Sequence, residues 1–180
     1  MTTGYYIIIR GPMASGKTTI SEKLATNLQG EYIPIDRILD TLDEEVQNEW
    51  EDGVMSQRAF IQANRLGAEA ARKHLTKGRP VVFDGNFYWR SQVDDLVRRL
   101  DFPHCSFTLR VPLEICIRRD AGRNRSYGRE AVEAVYRKST EFDFGVVVDA
   151  TLPLEKVVKE VLSALPLALP GDAQYVPLKS

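Results

Sequence analysis

The chain has 180 residues, the length of one ordinary α/β domain and enough to bury a sizeable core by itself. Its net charge of -1 excludes an overall basic field that would attract nucleic acid or an anionic membrane, though not a local basic patch. No apolar run reaches the roughly 20 residues of a membrane span, Tyr5 to Ile9 is too short for a signal-peptide core, and Cys105 and Cys116 make no disulfide framework, so the expectation is a soluble, cytoplasmic single domain.

In chain order, Tyr5 to Arg10 is a short apolar, β-rich run that reads as a buried strand ending at Gly11. Ile20, Leu24 and Leu28 recur at helical spacing after Lys17, and Gly30 closes that helix. A brief strand over Glu31 to Ile35 carries Pro34, which cannot donate to a ladder and places the strand at a sheet edge. Asp36 to Leu42 turns helical, and Asp43 to Gly53 is acidic and weakly patterned. A long helix is predicted from about Ser56 to Lys77, then a third strand over Pro80 to Phe83 ending at Asp84-Gly85. Val93, Leu96, Val97 and Leu100 mark a helix, and Cys105 to Val111 a fourth strand. A helix from Leu113 runs into an arginine-rich stretch, and Val132, Val135 and Tyr136 mark another. Val146 to Val148 is the fifth strand, Leu154 to Leu162 the last amphipathic helix, and the tail from Pro166 is expected to be extended. Strands alternating with helices predict a parallel sheet with helices on both faces, in one domain over 1–165 followed by a tail over 166–180. Ligands of such sheets bind at the carboxyl ends of the strands, so Gly11, Asp36 and Asp84 should line one crevice.

Gly11-Pro12-Met13-Ala14-Ser15-Gly16-Lys17-Thr18 fits G-x-x-x-x-G-K-[ST] with a strand before it and a helix after it. Glycines let the backbone wrap its N–H groups around phosphate oxygens, and the helix N-terminus adds positive potential. Lys17 is placed to reach the β- and γ-phosphates and Thr18 to sit on Mg²⁺. Gly11, Met13, Ala14, Ser15, Gly16, Lys17, Thr18 and the next residue, Thr19, form the expected nucleotide cradle.

Asp84 ends an apolar strand and reads either as the second acidic element of such a site, holding Mg²⁺ or contacting the acceptor, or as an ordinary Asp-Gly turn. Asp36 reads as a carboxylate that accepts the proton of an attacking hydroxyl, or as a helix N-cap. Arg118, Arg119, Arg123, Arg125 and Arg129 crowd one stretch, which reads as a mobile basic lid over about 118–130, as a solvated helix face, or as a patch for nucleic-acid phosphates. His74 and His104 have no nucleophile to pair with in the pattern and read as structural. Trp50, Tyr88 and Trp89 read as packing residues or, alternatively, as faces for an acceptor to stack on.

On these residues the chain resembles the small P-loop kinases, in the branch of polynucleotide 5′-hydroxyl kinase, zeta toxins and chloramphenicol phosphotransferase. The likeness spans roughly Tyr5 to Leu162, and rests on Gly11 to Thr18, Ile35-Asp36-Arg37, Val82 to Asn86, and Val111-Pro112-Leu113 through Arg119 and Arg123 to Tyr136. It implies a three-layer fold with sheet order 2-3-1-4-5, ATP and Mg²⁺ as cofactors, Asp36 as general base, and Arg119 and Arg123 as lid residues on the phosphates. It also implies that Val148-Asp149-Ala150-Thr151 lies near adenine. Two departures point away from a polynucleotide. Leu39 stands where polynucleotide kinase has an arginine for the acceptor's 3′-phosphate, and the acidic 43–52 stretch would repel a polyanion. The expected activity is phosphate transfer from ATP to a hydroxyl of a neutral or cationic small molecule. The alternatives are a polynucleotide 5′-hydroxyl kinase and an ATP-binding switch without a dedicated acceptor.

Overall fold

The computed structural model describes residues 4–165. Strand β1 (Tyr6–Arg10) is buried along its whole length, which is why its sequence is a continuous apolar run rather than an alternation. Helix α1 (Lys17–Asn27) follows the glycine-containing turn, and β2 (Glu31–Pro34) leads directly into the short α2 (Ile35–Leu39). Next come α3 (Glu44–Gln47), the two-residue strands β3 (Trp50–Glu51) and β4 (Val54–Met55), and the long α4 (Gln57–Leu75), whose cap Ser56 accepts from the Ala59 amide. The chain continues through β5 (Val81–Gly85), α5 (Arg90–Arg99), β6 (His104–Arg110), α6 (Leu113–Ala121), α7 (Arg129–Ser139), β7 (Val146–Asp149) and α8 (Leu154–Ala164).

Five strands form one parallel sheet in the order β2-β5-β1-β6-β7, and β3 and β4 pair antiparallel as a separate hairpin. Counting only the strands of the large sheet gives 2-3-1-4-5, with Pro34 on an edge strand. Side chains alternate across the sheet and build two cores. Tyr6, Ile8, Val81 and Phe83 pack with Phe60, Ala63, Ala71 and Leu96 of α4 and α5. Ile7, Ile9, Val82, Phe107 and Val148 pack with Ile20, Leu24, Cys116 and Val158 of α1, α6 and α8. The result is three layers.

Several element boundaries differ from the sequence reading. The helix expected over Asp36 to Leu42 is Ile35–Leu39, and the long helix starts at Gln57 and stops at Leu75. The 43–53 stretch carries a turn of helix and one strand of the hairpin, elements too short to show a period. No helix among the described residues is long and apolar enough to cross a membrane. The expected tail over 166–180 lies outside the described residues.

Candidate active site

Parallel register brings three strand ends together. Ile9 of β1 and Pro34 of β2 both lie opposite Asp84 of β5, so Gly11, Asp36 and Asp84 follow at the same edge of the sheet. The loop from Gly11 to Thr18 closes over that edge. Ala14 has φ 60° and Gly16 φ 98°, and this turning of successive peptides exposes N–H groups on the concave side. A Cβ on Gly11 would stand 3.0 Å from Leu109 Cβ and 3.1 Å from Ser15 Oγ, so only glycine lets the loop seat against β6. Ser15 Oγ is buried without a hydrogen-bond partner among the described residues. An orphaned hydroxyl in a positive-φ loop at a helix N-terminus fits a phosphate.

Lys17 Nζ lies 3.5 Å from the Pro12 carbonyl and 3.7 Å from Asp36 Oδ2. Asp36 Oδ1 accepts from the Asn86 backbone N–H at 3.1 Å. Burial pushes the Asp36 carboxyl above its ordinary range, while Lys17 and the Asn86 amide pull it down and Asp40 pushes it up again. Thr18 Oγ1 donates to Asp84 Oδ2 at 3.1 Å, and the Tyr32 hydroxyl donates to Asp84 Oδ1 at 3.1 Å. Asp84 is buried, and burial first, then the Asp36 carboxylate, raise it to about 6. Among the described residues no cluster of three or more Asp, Glu, His or Cys side chains is arranged to hold a metal alone. The Thr18 hydroxyl and Asp84 carboxylate fit the sparse protein share of a Mg²⁺ site completed by phosphate oxygens and water.

The arginines separate by role. Arg119 donates to the Ser15 carbonyl and to the Ala150 carbonyl, each at 3.1 Å, tying the Gly11–Thr18 loop to the loop after β7. Arg123 lies 3.8 Å from Asp120 and lines the cavity described below. Arg129 pairs with Glu114 and Glu133, which makes it a strut between α6 and α7. Arg118 and Arg125 are exposed. Thr151 donates through its amide and hydroxyl to Asp149 Oδ1, shaping the loop that Arg119 grips. Thr19 is exposed on the first turn of α1.

A cavity of about 330 Å³ opens beside Lys17 and Asp36. Leu39 and Asp40 line it from α2, Trp50, Val54 and Met55 from the hairpin, and Asn86 and Tyr88 from the loop after β5. Arg123, Tyr127 and Val135 line the opposite side. A larger cavity of about 610 Å³ lies at the ends of β6 and β7, walled by Arg110, Tyr136, Asp143 and Thr151, and holds neither Lys17 nor Asp36. The smaller cavity is therefore the one that adjoins the phosphate loop.

Several lining residues were not singled out in the sequence. Asp40, Met55 and Tyr127 carry no motif, and Asn86, though it closes the Val82 to Asn86 piece of the resemblance, carries no assigned role there. The acidic stretch lies beside this cavity, as expected, and several of its carboxylates are engaged. Glu49 pairs with Arg58, Glu51 bonds the Gln57 amide, and Asp52 pairs with Lys138 at 3.1 Å. Trp50 and Gly53 between them are what line the cavity.

The AAA domain family matches residues 7–143. No curated protein matches the chain in sequence. In structure the chain is similar to a gluconokinase from Sinorhizobium meliloti 1021, with TM-score 0.66 at 18% identity over 91% of this chain and 92% of that one. It is similar to a sugar kinase from Janibacter sp. HTCC2649, with TM-score 0.72 at 19% identity over 91% and 94% of the two chains. It is similar also to the tunicamycin resistance protein of Deinococcus radiodurans, with TM-score 0.67 at 20% identity over 94% and 99%. The chain belongs to the AAA domain family, and its fold is that of the small P-loop kinases.

Proposed function

We propose that this protein is an ATP-dependent kinase that transfers the γ-phosphate to a hydroxyl of a small-molecule acceptor. The observation that carries the reading is the cavity lined at once by Lys17, Thr18 and the carboxylate of Asp36. A switch protein needs no base facing a second cavity, whereas a kinase needs both. Among the similar structures, a gluconokinase and a sugar kinase are named for small-molecule acceptors, which accords with the reading.

The chemistry follows from the placement. Gly11 to Thr18, with Thr19, cradles the phosphates through backbone N–H groups, and Lys17 and Arg119 neutralise their charge. Thr151 sits on the adenine side. Thr18 and Asp84 would hold Mg²⁺, which when bound withdraws charge from the phosphate oxygens. The acceptor oxygen forms a bond to the γ-phosphorus, and the bond from that phosphorus to the β,γ-bridging oxygen breaks, releasing ADP. Asp36 takes the hydroxyl proton, for which a carboxyl raised above the ordinary range is suited. Arg123, at the lid end of the cavity, swings from Asp120 to the transferred group. Residues 1–165 work as one unit with the lid at about 118–130. Free Cys105 and Cys116 suit a reducing cytoplasm, where ATP is supplied.

Label transfer from [γ-³²P]ATP to a panel of alcohols, sugars, nucleosides and 5′-hydroxyl oligonucleotides tests this. Lys17→Ala is expected to abolish transfer, and Asp36→Asn to keep ATP binding while lowering kcat by about 100-fold or more. Full kcat in Asp36→Asn would remove Asp36 as the base. Label on oligonucleotides alone would replace the small acceptor with a polynucleotide.

A further inference from the structure

The kinase reading leaves the acceptor undefined, and the lining of the 330 Å³ cavity defines it further. The cationic groups that line it have other engagements. Lys17 and Arg123 serve the phosphates, and Arg37 lies 3.6 Å from Glu22. The Tyr88 and Tyr127 hydroxyls, Asn86 and Asp40 remain. Asn86 is 9% exposed, and its Oδ1 has no hydrogen-bond partner among the described residues, its Nδ2 donating to the Tyr88 hydroxyl. Asp40 is exposed to the cavity and its carboxylate has no ion-pair partner among the described residues. The tyrosine hydroxyls can donate or accept, whereas Asn86 Oδ1 and the Asp40 carboxylate only accept, so a ligand that engages this pair donates to it.

Spacing gives the ligand a shape. Asp40 caps α2 with helical dihedrals, φ -67° and ψ -11°, so Asp36 and Asp40 stand one turn apart on the same helix side. Residues four apart have Cβ atoms about 5–6 Å from each other. Around these carboxylates the walls are apolar: Leu39, Trp50, Val54, Met55 and Val135, with the flat face of Tyr88. Trp50 is 68% exposed at the mouth, between Glu49, which pairs with Arg58, and Glu51, which accepts from the Gln57 amide. An exposed indole next to an unpaired carboxylate is suited to a cation carried on an apolar body.

We propose that the acceptor is an amphipathic amino alcohol. Its hydroxyl faces Asp36, and a protonated nitrogen about one helical turn away meets Asp40, with Asn86 Oδ1 as a further acceptor. A ring-bearing apolar body lies against Trp50, Met55 and Tyr88. Anionic acceptors meet two carboxylates and no free cation. Polyols leave most of their hydroxyls against apolar walls, where an unmade hydrogen bond costs about 1–3 kcal/mol. This inference rests on the kinase reading, because it names the acceptor of the same site.

The test is calorimetric titration of three compounds of one skeleton into the protein holding Mg²⁺ and a non-hydrolysable ATP analogue. They are a phenyl-substituted 1,2-amino alcohol, the same alcohol with hydrogen in place of the amine, and the same alcohol with a carboxylate there. Gluconate is the polyol control. The amine is expected to bind about tenfold tighter than the neutral compound, the size of one charge-assisted contact. Asp40→Asn, at an exposed position that leaves the fold intact, is expected to remove that advantage, and Trp50→Ala to weaken all three aromatic compounds. Equal binding of amine, neutral compound and carboxylate, or tighter binding of gluconate, overturns the inference. Turnover with ATP separates the two readings. Preferred binding of the amine without transfer sinks the kinase and keeps the cavity assignment. Transfer to gluconate at a higher kcat/KM than to the amine keeps the kinase and sinks this acceptor.

Discussion

Asp36 and Asp84 sit close enough to repel, and burial with this repulsion raises the Asp84 carboxyl above its ordinary range while burial raises that of the half-buried Asp36. An acid whose folded-state pKa is raised carries its penalty fully above that value and loses it below the unfolded value. For Asp84 the window runs from about pH 6 down to about pH 4. The nucleotide-free protein is therefore expected to gain stability as pH is lowered from about 7.5 to about 5.5, the reverse of ordinary acid unfolding. Urea unfolding at the two pH values measures it. Asp84→Asn should flatten the trend and raise stability at the upper pH. A wild-type protein that loses stability across this window, with Asp84→Asn behaving alike, would show that the carboxylates are not strained. The chemistry of these residues was legible in the sequence because it is local: a loop pattern fixes Lys17 and Thr18, and an apolar strand fixes where Asp84 falls. Asp40 and Asn86 were not legible. Nothing along the chain says that a helix cap and a strand-end loop face the same cavity, and only the parallel register of β2 and β5 puts them there.

At the scale of elements, the expected alternation of helix and strand survived because each long element carries its own period, as in α4 and α5. The β3–β4 hairpin did not, since two residues per strand cannot display alternation and its acidic residues disguised it. The basic stretch at the end of α6 and beyond reads by composition as a lid, but the residue that organises the loop there is acidic. Asp120 is buried, and its Oδ2 accepts from Ser126 Oγ at 2.7 Å, the Tyr127 amide at 3.0 Å and the Gly128 amide at 3.2 Å. Against the burial that opposes it, these bonds and Arg123 hold its carboxyl below the ordinary range. Asp120 thus latches the lid loop in one conformation next to the cavity residue Tyr127. Asp120→Ala is expected to speed tryptic cleavage after Arg123 and Arg125 by about fivefold or more, as local opening becomes easier. The ATP analogue should restore protection. An unchanged cleavage rate would mean that the latch does not control the loop.

At the scale of the whole molecule, one side chain ties the end of β1 to the loop after β5 and to the end of α7. Arg10 ends β1 and is 0% exposed. Its Nη2 donates to the Ser139 carbonyl at 2.7 Å and the Phe87 carbonyl at 3.1 Å, and its Nη1 to the Phe142 carbonyl at 2.7 Å, with the guanidinium 3.9 Å above the Phe142 ring. Burial lowers it to about 10 while Asp143 pulls it up, so it stays charged at neutral pH. Phe87 has φ 43°, a left-handed conformation that costs a bulky residue about 1–2 kcal/mol and persists only where neighbours enforce it. Arg10 is one enforcer, and Asn86, whose amide holds Asp36, is the adjoining residue. Replacing Arg10 with Met strands two buried carbonyls and a part-buried one, which outweighs any strain released at Phe87, so the variant should lose about 3 kcal/mol or more in urea unfolding. Arg10→Lys should recover only part of the loss, because an ammonium has no fork to reach carbonyls on three segments. If the strut also positions the base, single-turnover transfer in Arg10→Lys falls several-fold while ATP affinity holds. A purely architectural Arg10 predicts instead that the folded variant transfers phosphate at the wild-type rate, and that result would detach the site from the strut.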